Sequence, residues 1–125
     1  MMQTDTFKDR VVIVTGGASG IGRCVADEFR KQGAVVYVID KQEGEHFVGD
    51  IAQQEVLEAF AAEVLSKHAR VDVIVNNALP LMRGIDECSY EEFQYALSVG
   101  VTAPFYLVKL LKDHLAEGAS IINIS

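Results

Sequence analysis

Val11-Val12-Ile13-Val14-Thr15-Gly16-Gly17-Ala18-Ser19-Gly20-Ile21-Gly22 passes from a short β-branched run into a glycine-rich turn and then into a helical pattern. The run Val11 to Val14 has no polar side chain. That predicts a strand buried on both faces, as in a parallel sheet. From Ile21 to Gln32, the residues Ile21, Cys24, Val25 and Phe29 fall on one helical face, and Gly33 stands where a helix ends. The turn between them has a chemical use. Glycines let the backbone come close to a pyrophosphate, and the helix opening near Ile21 offers free N–H groups and a positive dipole end. Gly22 allows close packing of helix on strand. The strand before, the helix after and an acid further on, Asp40, supply the context that gives the glycine spacing its meaning. Asp40 closes the second apolar run. A carboxylate there accepts from both hydroxyls of an adenosine ribose and repels a 2′-phosphate. NAD is therefore expected over NADP. Ser19 is neutral, and Lys41 beside Asp40 is the base that keeps NADP open.

The alternation continues along the chain. Ala34 to Ile39 is a second buried strand, and Phe47-Val48 a short third one with Asp50 just after it. Between Gln53 and His68, Leu57, Phe60, Ala61, Val64 and Leu65 keep the spacing of an amphipathic helix. Val71 to Val75 reads as a strand that ends at Asn76-Asn77-Ala78. Ser89 and Glu92 have the spacing of a capping box, with Phe93, Ala96 and Leu97 as an apolar stripe behind them. The helical pattern resumes from Leu107 to Leu115. Pro104 forces a kink or break, and Gly118 closes the segment. Ser120 to Ile124 is a fifth strand. Strands alternating with helices mean βαβ crossovers. The expected fold is α/β: a Rossmann-like doubly wound parallel sheet of about five strands with helices on both faces. Residues 1–125 read as one dinucleotide-binding domain. Ser125 follows the fifth strand with no covering helix, so the sheet is expected to be incomplete on its C-terminal side.

Composition narrows the partners. The chain has 125 residues, half of them apolar and 23% charged, which suits a packed core. Eighteen acidic residues against eleven basic ones give a net charge of -7. With the bases scattered, nucleic acid and anionic membranes are excluded as partners. No apolar stretch approaches a membrane span, and Met1 to Arg10 lacks the apolar core of a leader peptide. Cys24 and Cys88 belong to no Cys-x-x-Cys pattern and read as reduced thiols of a cytoplasmic protein. His46, His68 and His114 share no motif with an acid or a cysteine, so no metal site is expected.

Taken together, these residues resemble the classical short-chain dehydrogenase/reductase family. Thr15 to Gly22 is similar to its Thr-Gly-x-x-x-Gly-Ile-Gly loop, Asn76-Asn77-Ala78 to its Asn-Asn-Ala-Gly signature, and Asp50-Ile51 to the pair that borders adenine. Val99 with Thr102-Ala103-Pro104-Phe105 resembles the fourth-helix segment, and Ile121 to Ser125 the fifth strand. The resemblance covers essentially the whole chain but about the N-terminal half of a typical member. It implies that Gly16, Ser19, Gly20, Ile21 and Gly22 hold the pyrophosphate and nearby ribose. Asp40 would bind the adenosine ribose, and Asp50 and Ile51 would flank the adenine. Asn77, Ala78 and Val99 would line the path toward the nicotinamide. Leu79 stands in place of the signature glycine and adds bulk beside the cofactor. Gly100 stands in place of the family's asparagine. No catalytic residue is assigned. The family's helical Tyr-x-x-x-Lys occurs here only as Tyr37 to Lys41, in a strand that separates its ends by about 13 Å. Tyr106 and Lys109 have the wrong spacing, and Ser125 aligns with the serine before the active one.

Three readings of function follow. One is an NAD-dependent oxidoreductase acting on a small alcohol or carbonyl substrate, present here as its cofactor-binding half and inactive alone. Another is a non-catalytic NAD(H)-binding module. The last is an assembly role, because an uncovered fifth strand and apolar surface from Leu107, Leu110 and Leu111 predict a homo-oligomer.

Overall fold

The structure, a computed structural model, describes residues 6–125. Residues 1–5, part of the Met1 to Arg10 stretch read above as lacking the apolar core of a leader peptide, lie outside them. Five strands form one parallel sheet: β1 (Val11–Thr15), β2 (Val35–Asp40), β3 (Phe47–Val48), β4 (Val71–Asn76) and β5 (Leu115–Asn123). Their order is β3-β2-β1-β4-β5. The chain therefore moves outward from β1 in one direction, returns, and moves outward in the other. Helix α1 (Gly20–Lys31) joins β1 to β2, and α2 (Gln54–Lys67) joins β3 to β4. Between β4 and β5 lie α3 (Tyr90–Leu97), a π-helical turn (Ser98–Thr102) and α4 (Ala103–Leu111). This is the Rossmann-like architecture the alternation predicts.

β1 is buried along its whole length, the consequence of central position with helices on both faces. On one face Val11, Ile13, Ile39 and Ile74 pack with Phe60, Val64, Leu107 and Leu111 from α2 and α4. On the other, Val12, Val14, Val38 and Val75 pack with Ala26 of α1, flanked by Val25 and Phe29. Phe29 meets Phe7 edge to face at 5.1 Å. Gly33, with φ +90°, takes the left-handed turn that ends α1.

The buried face of α1 differs from the sequence expectation. Ile21 is 64% exposed and Cys24 is exposed, while Gly22 and Ala26 face the sheet. The cause is proximity. A Cβ on Gly22 would come 2.2 Å from the Gly16 carbonyl oxygen, so only the smallest residues fit on that side. The α3 stripe is likewise narrower than expected: Ala96 is buried, but Phe93 and Leu97 are exposed. Ser89 caps α3 by accepting from Glu92 N at 3.1 Å. The return half of the capping box is missing, because the Glu92 carboxylate instead forms a two-point pair with Arg83 (Nε to Oε2, 2.9 Å; Nη2 to Oε1). That guanidinium holds the Glu92 carboxyl below its usual range.

Pro104 lies in the first turn of α4, directly after the π-helical turn; the chain stays helical through both, so the irregularity expected at Pro104 is that turn rather than a break. The helix then stops earlier than the periodicity predicts. α4 ends at Leu111, and Leu115 already belongs to β5. Gly118, with φ +76°, sits in an irregularity of β5 rather than at a helix end. Val71 pairs with Leu115 and Val73 with Ser120, so the extra residues bulge outward. Leu107 and Leu111 are buried, against the expectation that they lie bare, and Leu110 is half-buried. Exposed apolar surface comes instead from Val101 and Phe105 and, on the edge strand β5, from Ile121 and Ile122. No helix among the described residues is long and apolar enough to cross a membrane.

Candidate functional site

The ends of β1 and β4 are locked together by one hydroxyl. Thr15 Oγ1 accepts from the backbone N–H of both Asn77 and Ala78, each at 3.0 Å. Asn77 Nδ2 donates to the Gly16 carbonyl at 3.1 Å, and Gly16 N donates to the Ile39 carbonyl at 2.8 Å. The turn is thus held from both sides. Gly16 has φ +66°, and a Cβ there would come 2.9 Å from Ala78 Cα. Glycine is required at this position by conformation and by space.

Gly20 is different. It has φ +57°, and a Cβ there would meet nothing within 4 Å. The loop is therefore open to the outside where α1 begins. Ser19, the N-cap of α1, makes no capping bond with its side chain, and the first turn of α1 carries no acid. The hydroxyl and the first N–H groups are free to meet an anion. These features fit a pyrophosphate.

Asp40 ends β2 with its carboxylate fixed by the backbone: Oδ2 accepts from Ala18 N and Oδ1 from Gln42 N, both at 3.0 Å. It ties the glycine loop to the next strand and keeps acceptor capacity, since a carboxylate has about four lone-pair sites. Asp50 is also engaged on both oxygens. Oδ1 accepts from Ala52 N at 2.9 Å, and Oδ2 accepts from the Tyr95 hydroxyl at 2.6 Å. Burial, then the bond to Asp50, pushes the Tyr95 hydroxyl up to about 12. Lys41 Nζ lies over the Tyr95 ring, 5.7 Å from its centre.

A cleft of about 440 Å³ joins these groups. Gly16, Ser19 and Ile21 form one wall, so Ile21 belongs to the cleft rather than to the core. Asp40, Asp50, Ile51, Asn77, Ala78 and Val99 line it too, with Asn77 and Ala78 lying directly against Gly16. Gly20 and Gly22 are not in the lining: Gly20 is exposed at the head of α1, and Gly22 is packed against Gly16 and Asn77. Leu79 lines the cleft and is 60% exposed. Gly100 is exposed in the π-helical turn. Tyr37 does not join Lys41: its hydroxyl is bonded to His68 Nε2 at 2.8 Å. Tyr106 donates to Glu58 at 2.6 Å and is engaged with α2.

Tyr95 is the cleft residue that sequence reasoning passed over, and Leu81 and Gln42 join it in the lining. A signal existed for Tyr95: it stands four residues before Val99, on the same helical side.

The sequence family described as enoyl-(acyl carrier protein) reductase matches residues 16–125. An L-fucose dehydrogenase of Mus musculus is similar, with 34% identity over 140 residues, covering 100% of this chain and 51% of the relative. Among solved structures, an apo SCOR enzyme from Clostridium thermocellum shares 40% identity at a TM-score of 0.86, over 93% of this chain and 54% of that one. A 3-ketoacyl-(acyl-carrier-protein) reductase from Brucella melitensis, solved with NADH, shares 26% at a TM-score of 0.85, over 96% and 58%. The chain spans about half the length of the curated relatives it matches.

Proposed function

The chain belongs to the short-chain dehydrogenase/reductase family, and from that premise we propose that its cleft binds NAD(H) as the cofactor-binding part of an oxidoreductase for a small alcohol or carbonyl substrate. The observation that carries this reading is the glycine turn, shut by Asn77 on its inner side and open at Gly20 on its outer side. Bound nicotinamide would supply the hydride acceptor or donor. In this reading the chain's own residues position that group. Ser19, Gly20, Ile21 and the first N–H groups of α1 face the pyrophosphate, with Gly16 and Gly22 giving the turn its shape. Asp40 accepts from the adenosine ribose hydroxyls. Asp50 and Ile51 flank the base, and Asn77, Ala78 and Val99 line the nicotinamide side.

Preference for NAD over NADP is supported by the fixing of Asp40. Two backbone N–H groups hold its carboxylate in place, so its charge opposes a 2′-phosphate. The NADH complex of the Brucella melitensis reductase agrees with a nicotinamide ligand. The reading includes a cytoplasmic protein, with Cys24 and Cys88 as free thiols. It also includes a homo-oligomer, supported by exposed Val101, Phe105, Ile121 and Ile122. Residues 1–125 act in it as one dinucleotide-binding domain. No helical Tyr-x-x-x-Lys is present, so the chain is inactive alone. A non-catalytic NAD(H)-binding module is the second reading, favoured by that same absence and by Gly100.

Calorimetry with NADH and NADPH, beside Asp40→Ala, tests this. Binding of NADH alone, lost or broadened to NADPH in the variant, is expected. No heat with either nucleotide from a folded chain would overturn it.

A further inference from the structure

We propose that Tyr95 is a positioning residue for the base of the bound dinucleotide: its hydroxyl, 2.6 Å from Asp50 Oδ2, fixes that carboxylate at the cleft wall to accept from an exocyclic amino group and to reject a base bearing a carbonyl there. This rests on the nucleotide reading above.

The argument starts from Asp50's partners. One oxygen is held by Ala52 N, within its own turn. The other is held by Tyr95, forty-five residues away on α3, so the bond joins the segment after β3 to that helix in the lining of the cleft. Asp50 has no ion-pair partner among the described residues, and Lys41 rests on the Tyr95 ring instead. A carboxylate held in this way keeps lone pairs and has no proton to give. It can only accept. A ligand group facing it is favoured when it is an N–H and penalised when it is an oxygen lone pair. Tyr95 cannot substitute as the donor to that ligand, because its own proton is committed to Asp50. Its role is to hold the acceptor still, and Lys41 in turn holds the ring.

The test compares NADH with its hypoxanthine analogue, in which the amino group of the base is replaced by a carbonyl. Binding of each is measured by calorimetry to the chain, to Tyr95→Phe, to Asp50→Asn and to the double variant, with far-ultraviolet circular dichroism as the check of folding. The chain is expected to prefer NADH by about tenfold or more. Tyr95→Phe is expected to weaken NADH several-fold and to leave the analogue almost unchanged. A merely structural loss would weaken both alike. In the Asp50→Asn background the tyrosine substitution is expected to have no further effect on the preference. Equal loss for both ligands, or no preference in the unaltered chain while NADH binds, would overturn the role of Tyr95 and leave the nucleotide reading standing. Binding of neither ligand by the folded chain would overturn both.

Discussion

Two glycines only two positions apart are expected to fail in opposite ways when changed to alanine. At Gly22 the new Cβ would lie 2.2 Å from the Gly16 carbonyl oxygen and 2.3 Å from Asn77 Nδ2. The oxygen belongs to the backbone of a turn already held by Thr15, Asn77 and Ile39, so it has nowhere to yield. Overpacking of this kind costs about 1–3 kcal/mol. The hydrogen bond from Asn77 to Gly16 is lost as well, leaving a buried amide unsatisfied at about 1–3 kcal/mol. Alanine returns about 1 kcal/mol of helix propensity. The net loss is about 1–5 kcal/mol of stability. At Gly20 no atom stands within 4 Å, and the cost is the left-handed conformation alone, about 1–2 kcal/mol. There the methyl group enters the open side of the turn, where the reading puts the pyrophosphate. Urea unfolding separates the stabilities, and NADH calorimetry on whichever variant stays folded separates the affinities. Gly22→Ala should lower the unfolding midpoint far more than Gly20→Ala, while folded Gly20→Ala should bind NADH at least tenfold more weakly. A Gly22→Ala chain as stable as its parent would refute the packing argument. Unchanged NADH affinity in Gly20→Ala would refute the phosphate assignment.

Gly100→Ala should stabilise the chain by about 0.5–1 kcal/mol, because its φ is not left-handed and a Cβ there would meet only Pro80 at an ordinary 3.8 Å; a lowered melting temperature would contradict this. In an ultraviolet titration, Tyr95 should ionise near pH 12, and Tyr95→Phe should remove that late step. Because its value is raised by folding, the stability it contributes is complete below about pH 10, the value of a free tyrosine, and is lost as pH rises through about 12.

Most of the sheet was legible because its residues answer to one rule: a central parallel strand is apolar on both faces, and Val11 to Val14 could be little else. The α2 stripe was legible for the same reason, since Leu57, Phe60, Ala61 and Val64 all face one surface. The α1 face was not. Hydrophobicity points to Ile21 and Cys24, but what decides the face is how closely the helix approaches β1, and that is set by the turn before it. The bulge before Ser120 was invisible too, because it is a matter of register between β4 and β5 rather than of any residue type. Among site residues, those carried by the glycine turn and the acids could be named from spacing. Tyr95 could be reached only through its place four residues before Val99, and its bond to Asp50 not at all, since that partner lies forty-five residues away.

The position of the cleft follows from the strand order. In β3-β2-β1-β4-β5 the direction of winding reverses between β1 and β4, and the loops leaving those two strands diverge to opposite faces. Divergence alone would leave a gap with mobile edges. Here Thr15, the last residue of β1, pairs in register with Asn76, the last of β4, and its hydroxyl takes the next two backbone N–H groups of the β4 loop. Asn77 then reaches back to Gly16. The two loops that bound the gap are one hydrogen-bonded unit, so its shape is set by the pairing of buried strands rather than by flexible turns. Asp40 extends the same unit to β2 through Ala18. Tyr95 and Asp50 then join α3 to the segment after β3 in the lining of the same cleft. A ligand entering this cleft meets walls whose polar groups are already in position, which is the condition for recognising charge and hydrogen-bonding pattern with little ordering cost.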